Sequence, residues 1–290
     1  MGNSNGSKFK NYMSLVKFSH TIFAMPFALI GLFLAYKTTP TSFSWQLLGL
    51  VILCMVFARN AAMSFNRLVD RYIDKKNPRT AEREIPKGII STKSALLFII
   101  LNSILFIVTT WFINNLVFYL SPIALAVILL YSFTKRWTIL CHLVLGLGLS
   151  LAPMGAYLSV TGRFDIIPIL YSFIVLFWVG GFDIIYSLQD EEFDKNESLK
   201  SIPAALGIKN ALWVATAFHI ITALIVLYVG YKLDASSWYW AGAILFIGLL
   251  AYQHSIVSPK DIKRVNLAFM TTNGIASVIF AFFNILNFLF

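Results

Sequence analysis

Ten of the thirteen Asp and Glu residues in this 290-residue chain fall into two short patches. Asp70, Asp74, Glu82 and Glu84 form the first, and Asp183, Asp190, Glu191, Glu192, Asp194 and Glu197 the second. The first opens Asn66-Arg-Leu-Val-Asp70-Arg-Tyr-Ile-Asp74. On a helix, four-residue steps turn by about 400°, which predicts one stripe of Asn66, Asp70 and Asp74 along roughly 12 Å of axis. Carboxylates four apart repel by about 0.2–0.5 kcal/mol, so a cation is expected beside them. Mg²⁺ suits the pattern, because it takes one or two carboxylates and completes its shell with water and substrate phosphate. The structural alternative is a solvated helix end with Arg67, Arg71 and Lys75 as ordinary partners.

The second patch reads Asp183-Ile-Ile-Tyr186-Ser-Leu-Gln189-Asp190-Glu-Glu-Phe-Asp194. Its spacing predicts one face carrying Asp183, Tyr186, Asp190 and Asp194, with Asp183 about 10 Å deeper than Asp190. Arg59 precedes Asn66 by the same interval in the first patch. Charged groups at such depth in an apolar segment are functional by default. An Arg59–Asp183 ion pair inside the bundle is the structural alternative. The two matching stripes form the pattern of an internal duplication. Facing each other, they would hold a pair of Mg²⁺ ions with a diphosphate between them. Basic residues of the same loops would meet the remaining oxygens.

The elements that must position these stripes are membrane spans. Hydrophobic residues make up 58% of the chain, charged residues only 12%, and the mean hydropathy is +0.76. Soluble domains carry about 25% charged residues, so a soluble enzyme is excluded. Stretches of roughly 20 apolar residues fall at 20–36, 46–66, 94–113, 116–133, 139–160, 166–189, 211–231, 238–253 and 266–289. The expected fold is therefore all-α: a polytopic bundle of about nine transmembrane helices with a central cavity open near the cytoplasmic face. The tight seam at Asn114 and Asn115 makes eight the fallback count. No small-residue cleavage site follows the first apolar run, so it reads as a retained span.

With the N-terminus cytoplasmic, nineteen of the 23 Lys and Arg residues fall in inside segments, including Lys8, Lys10 and Lys17. Only Lys37, Arg163 and Lys232 fall outside, and Arg59 lies within a span. That bias is the positive-inside signature, and it accounts for the net charge of +10 without nucleic acid. The predicted location is the inner (plasma) membrane of a bacterium, with the C-terminus outside. Cys54 and Cys141 sit in apolar runs without ligand spacing and read as small core residues. His20 reads as a satisfied polar group at a helix end.

NRLVDRYID and DIIYSLQDEEFD resemble the two motifs of the UbiA superfamily of intramembrane prenyltransferases. The resemblance continues through KFSHTIFAMPFAL (17–29), NPRTAEREIPKG (77–88), YSFTKRWT (131–138), APMGAY (152–157) and LKSIP (199–203). It thus runs to about residue 210, and the last three spans match only in character. The branch most resembled is that of the 4-hydroxybenzoate polyprenyltransferases, with Arg67 where many members have Asp. The resemblance implies one domain over residues 1–290, with 1–19 as a polar N-terminal segment. It also implies Mg²⁺-assisted ionisation of an allylic polyprenyl diphosphate and capture of the cation by an aromatic acid, ortho to its hydroxyl, in quinone biosynthesis. An apolar bundle would shield that cation from water.

By the same resemblance, the metal ligands are Asn66, Asp70, Asp74, Asp183, Asp190 and Asp194, with Asp70, Asp74, Asp190 and Asp194 catalytic. The diphosphate falls to Arg71, Arg79, Lys135 and Lys200. Arg59, Arg136 and Tyr186 fall to the aromatic substrate, with Arg136 favoured for its carboxylate. An acceptor such as 1,4-dihydroxy-6-naphthoate, used for menaquinone, carries a similar carboxylate and is the alternative. A cation transporter is the rival class, although transport sites lie near the midplane. The DGxxAR…GxxxDxxxD run of the CDP-alcohol phosphotransferases is absent.

Overall fold

The computed structural model describes residues 11–16 and 23–290. The expectations placed on Lys8, Lys10, Lys17, His20 and positions 17–22 of the resembling segment lie outside the described residues. The described residues form helices joined by short connections. Along the chain run α1 (Met25–Thr38), α2 (Trp45–Val69), α3 (Arg71–Lys76), α4 (Thr92–Trp111), α5 (Asn115–Trp137) and α6 (Cys141–Thr161). They are followed by α7 (Ile166–Ser187), a 3₁₀ turn (Leu188–Asp190), α8 (Glu191–Asn196), α9 (Ile202–Lys232) and α10 (Ser237–Ser255). A π-helical turn (Leu267–Thr272) leads into α11 (Asn273–Leu289).

The boundaries follow capping chemistry. Ser44, Ser91, Asn114 and Ser201 each accept a hydrogen bond from a backbone N–H in the first turn of the helix they open. Asn114 thereby resolves the tight seam between α4 and α5, and its amide also donates to the Leu158 carbonyl at 2.9 Å. Gly162 ends α6 in the left-handed region at φ +61°.

Among the described residues seven helical stretches are long and apolar enough to cross a membrane: those at 45–69, 92–111, 115–137, 141–161, 166–196, 202–232 and 267–289. Among the described residues α1 is apolar but 14 residues long, and α10 is not one of the seven. Along α4, Leu97, Ile100, Leu101, Ile104 and Val108 all face outward and are exposed. A continuous apolar outer face of that kind belongs in lipid. Helices approach most closely through small residues. A Cβ on Gly31 of α1 would lie 2.0 Å from the Pro153 carbonyl oxygen of α6, and one on Gly146 of α6 2.3 Å from that of Leu176 in α7. Behind these contacts Phe27, Trp178, Phe246 and Phe280 form the buried aromatic centre of the bundle.

Candidate active site

Both acidic motifs sit on helix breaks, which corrects the expectation of continuous stripes. Helix α2 stops at Val69, and Asp70 (φ −87°, ψ 3°) is both its C-cap and the start of α3. The cause is a pair of guanidinium groups that satisfy the terminal carbonyls. Arg71 Nη1 donates to Leu68 O at 2.7 Å and Arg136 Nη2 to Val69 O at 3.2 Å. The second motif is divided among α7, which carries Asp183, the 3₁₀ turn, which carries Asp190, and α8, which carries Asp194. Each motif is therefore bent, and its later carboxylate points to different neighbours than its earlier one.

Between the breaks lies a polar cavity of about 720 Å³. Of the predicted site residues, Asn66, Asp70, Asp74, Asp183, Tyr186, Asp190, Arg59, Arg79, Lys135 and Arg136 line it. Asp194, Arg71 and Lys200 are not on its wall. Asp194 is fully buried behind it, forms an ion pair with Lys135 Nζ at 2.7 Å and accepts a hydrogen bond from Ser201 Oγ at 2.9 Å. Arg71 lies over the Tyr72 ring, and Lys200 Nζ donates to Trp137 O at 3.1 Å.

The carboxylates on the wall are paired. Arg136 holds Asp70 at 2.7 Å, and Asn66 Nδ2 donates to the other Asp70 oxygen at 3.0 Å. Arg83 Nη1 donates to both Asp74 oxygens, at 2.7 and 2.9 Å. Arg79 grips Asp190 through Nε and Nη2, at 3.0 and 2.5 Å, while Nη1 donates to the Tyr186 hydroxyl at 2.9 Å. Asn77 adds a third bond to Asp190 at 2.9 Å. Asp183 pairs with His142 at 2.7 Å rather than with Arg59. Because the Ile202 N–H donates to His142 Nε2, His142 Nδ1 is the donor to Asp183.

Burial pushes the Asp70 carboxyl above its ordinary range, and Arg136 offsets part of that rise. For Arg79, burial acts downward, but the hydrogen bonds and charge of Asp190 and Tyr186 outweigh it and raise the guanidinium above its usual value. Among the described residues six Lys and Arg side chains line the cavity: Arg59, Arg67, Arg79, Arg83, Lys135 and Arg136. Arg59 alone among them has no carboxylate partner among the described residues. Its Nε is buried without a hydrogen-bond partner.

Asn77, Arg83 and His142 were not read from the sequence as site residues. Asn77 and Arg83 stand within the quoted NPRTAEREIPKG run, directly after the first motif. His142 has no local signal, since its partner lies 41 residues away. Cys54, half-buried, and Cys141, buried, are free thiols.

A second, apolar cavity of about 200 Å³ lies among α2, α4, α5 and α6. Arg59, Met63, Tyr131, Leu145 and Leu149 line both cavities, so the polar chamber continues into the apolar one. Fold and cavities together define an integral membrane protein whose polar, carboxylate-rich chamber opens onto an apolar recess.

Comparison with known proteins gives that class its family. Residues 24–283 match the UbiA prenyltransferase family. A 4-hydroxybenzoate octaprenyltransferase of Aliivibrio salmonicida (strain LFI1238) is 31% identical over 279 residues, 94% of this chain and 96% of that protein. One from Aliivibrio fischeri (strain MJ11) is 30% identical over 253 residues, 86% of each. Among solved structures, the apo form of a UbiA homolog from Aeropyrum pernix K1 superposes with a TM-score of 0.84 at 29% identity, covering 92% of this chain and 97% of that one. A UbiA homolog from Archaeoglobus fulgidus bound to DMAPP and Mg²⁺ shares the fold at 22% identity, with a TM-score of 0.75 and coverage of 96% and 99%. The chain belongs to the UbiA prenyltransferase family and is a prenyltransferase enzyme of the membrane.

Proposed function

We propose that the protein transfers a polyprenyl group from an allylic polyprenyl diphosphate to an aromatic acid of the 4-hydroxybenzoate type, in quinone biosynthesis and with Mg²⁺. The observation that carries this reading is the junction of the two cavities, with Arg59 at it. A diphosphate suits the charged chamber, a prenyl chain suits the apolar recess, and an aromatic acid suits a guanidinium between them that has no carboxylate partner among the described residues. The relatives named 4-hydroxybenzoate octaprenyltransferase support the acceptor. The Archaeoglobus homolog bound to DMAPP and Mg²⁺ supports the donor and the metal.

Among the described residues no three His, Cys, Asp or Glu side chains converge as a metal cluster. The donors on the wall are hard oxygen ligands, and Mg²⁺ needs only one or two carboxylates when a diphosphate supplies the rest. Asp70 with Asn66, and Asp190 facing them from the other motif, fit that demand. Asp74 and Asp183 stand on the same wall as further oxygens. The ion would supply charge neutralisation for the departing diphosphate.

The protein's own groups do the remaining work. Arg79 and Lys135, held by Asp190 and Asp194, present fixed positive charge to the diphosphate oxygens. Asp194 thus acts through Lys135, and Arg71 and Lys200 support the backbone around the chamber rather than facing it. The allylic C–O bond breaks with its electron pair leaving on diphosphate, the ring carbon ortho to the hydroxyl forms the new C–C bond, and its proton then passes to an oxygen of the departed diphosphate. The apolar recess keeps water from the cation. Arg59 holds the acid's carboxylate and so sets which ring carbon faces the cation, with Tyr186 also on the chamber wall. Arg136, spent on Asp70 and Val69 O, is the weaker candidate for that carboxylate.

The same reading takes residues 1–290 as one domain, spanning the membrane nine times with the N-terminus cytoplasmic and the chamber near that face. The inner membrane of a bacterium is its expected place. The Lys and Arg bias supports the orientation. The test is product formation: membranes containing the protein, an allylic polyprenyl diphosphate and either 4-hydroxybenzoate or 1,4-dihydroxy-6-naphthoate, analysed by mass spectrometry with Mg²⁺ or with EDTA. A prenylated hydroxybenzoate formed only with Mg²⁺ is the expected result. Prenylation of the naphthoate alone would move the protein to the menaquinone branch, and no product from either would overturn the reading.

A further inference from the structure

The last span reaches the active site through an irregular turn. Helical structure is continuous from residue 265 to 289, but Leu267–Thr272 is wound as a π-helix. Such a turn fits one extra residue into the helix and leaves carbonyls out of register, and it recurs at functional sites. Here the misaligned carbonyls are satisfied by side chains. Thr272 Oγ1 donates to Leu267 O at 3.3 Å, and Asn273 Nδ2 donates to Ala268 O at 2.9 Å and Phe269 O at 3.2 Å. Asn273 is itself fully buried, accepting from the Trp178 indole N–H at 2.9 Å and exchanging hydrogen bonds with Gln253. A turn held from two neighbouring helices, α7 through Trp178 and α10 through Gln253, is a built feature.

Its product is the placement of Phe269. This ring lines the polar chamber and stacks on Tyr186, with centroids 4.1 Å apart and planes 27° from parallel, while Phe182 meets it edge-on at 5.4 Å. Tyr186 in turn holds Arg79 twice, through its hydroxyl at 2.9 Å and under the guanidinium, whose Cζ lies 5.2 Å from the ring centroid. Arg79 then makes its two-pronged contact with Asp190. A long arginine side chain is useful to a substrate only if its fork is set beforehand.

We propose that the π-helical turn is a positioning element of the active site. It seats Phe269 on Tyr186 and thereby fixes the Arg79 guanidinium for the diphosphate. Phe269 is a positioning residue contributed by the part of the chain whose sequence carries no family motif. The inference rests on the assignment of Arg79 to the diphosphate, and its test separates the two.

Initial rates are measured on the purified protein with an allylic polyprenyl diphosphate, 4-hydroxybenzoate and Mg²⁺. Phe269→Leu should raise the KM for the prenyl diphosphate about 3- to 10-fold, the worth of one stacked aromatic pair, and leave the KM for the acid unchanged. Phe269→Tyr, which keeps the stacked face, should restore the KM. In the Arg79→Ala background Phe269→Leu should add nothing, because its effect passes through Arg79. Multiplying effects in the double variant, or a rise confined to the acid's KM, would overturn the inference while leaving Arg79 in its role. An unchanged prenyl diphosphate KM in Arg79→Ala alone would overturn both. Should Phe269→Leu not fold, Phe269→Met keeps the volume without the aromatic face, and the same comparison applies to it.

Discussion

Replacing Arg59 by alanine tests how the acceptor is held. Of the six Lys and Arg side chains that the described residues place on the chamber wall, five have a carboxylate partner, whereas Arg59 has none among those residues, and its buried Nε has no hydrogen-bond partner among them. Removing it therefore strands no acidic partner, and the loss should fall on the ligand. A charge-assisted hydrogen bond to a carboxylate contributes ~1.5–3 kcal/mol, which corresponds to about 10- to 150-fold in binding. Arg59→Ala should raise the KM for 4-hydroxybenzoate by that factor, with the KM for prenyl diphosphate changed much less. Arg59→Lys should recover only part, because an ammonium cannot reproduce the planar fork. Arg136→Ala should behave differently: it removes the 2.7 Å partner of Asp70, whose carboxyl burial already pushes upward, so its effect should appear in the prenyl diphosphate and Mg²⁺ dependence. The assay is initial rate against acid concentration at saturating donor and metal. An acid KM unchanged in Arg59→Ala but raised in Arg136→Ala would refute this reasoning and return the carboxylate to Arg136.

Two further predictions concern topology and packing. Cysteines replacing Lys76 and Lys195, both exposed beside the chamber, should label from the cytoplasmic side, and one replacing Arg163 only from the outer side; labelling of positions 76 and 195 from opposite faces would break the shared chamber. Gly31→Ala places a methyl group 2.0 Å from the Pro153 carbonyl oxygen and should cost ~1–3 kcal/mol or more, read as a lower unfolding temperature in detergent, whereas Gly49→Ala meets nothing within 4 Å and should leave it unchanged.

The helices were legible because lipid imposes a simple rule on composition. The seam at Asn114 proved to be a capped boundary, and among the described residues seven helical stretches are long and apolar enough to be spans. The two motifs were legible because so few carboxylates occur elsewhere in the chain. Their local shape was not. Neither break contains Gly or Pro; α2 ends where Arg71 and Arg136 satisfy its last carbonyls, and Arg136 comes from a helix 66 residues away from Asp70. The pairing of Asp183 with His142 and of Asp190 with Arg79 likewise depends on separations of 41 and 111 residues. The π-helical turn escapes periodicity altogether, since one extra residue in an apolar run leaves the run apolar.

Metal-linked binding of the donor tests the central claim that the two motifs form one diphosphate site. An allylic polyprenyl thiodiphosphate, which ionises slowly, is titrated calorimetrically into purified protein with and without Mg²⁺, for the unaltered chain and for Asp70→Asn and Asp190→Asn. Binding should require Mg²⁺ and weaken at least about tenfold in each variant, since on the proposed assignment each replaces a carboxylate ligand by a neutral amide in a different motif. Binding that is independent of Mg²⁺, or that survives either substitution at full strength, would contradict a shared site.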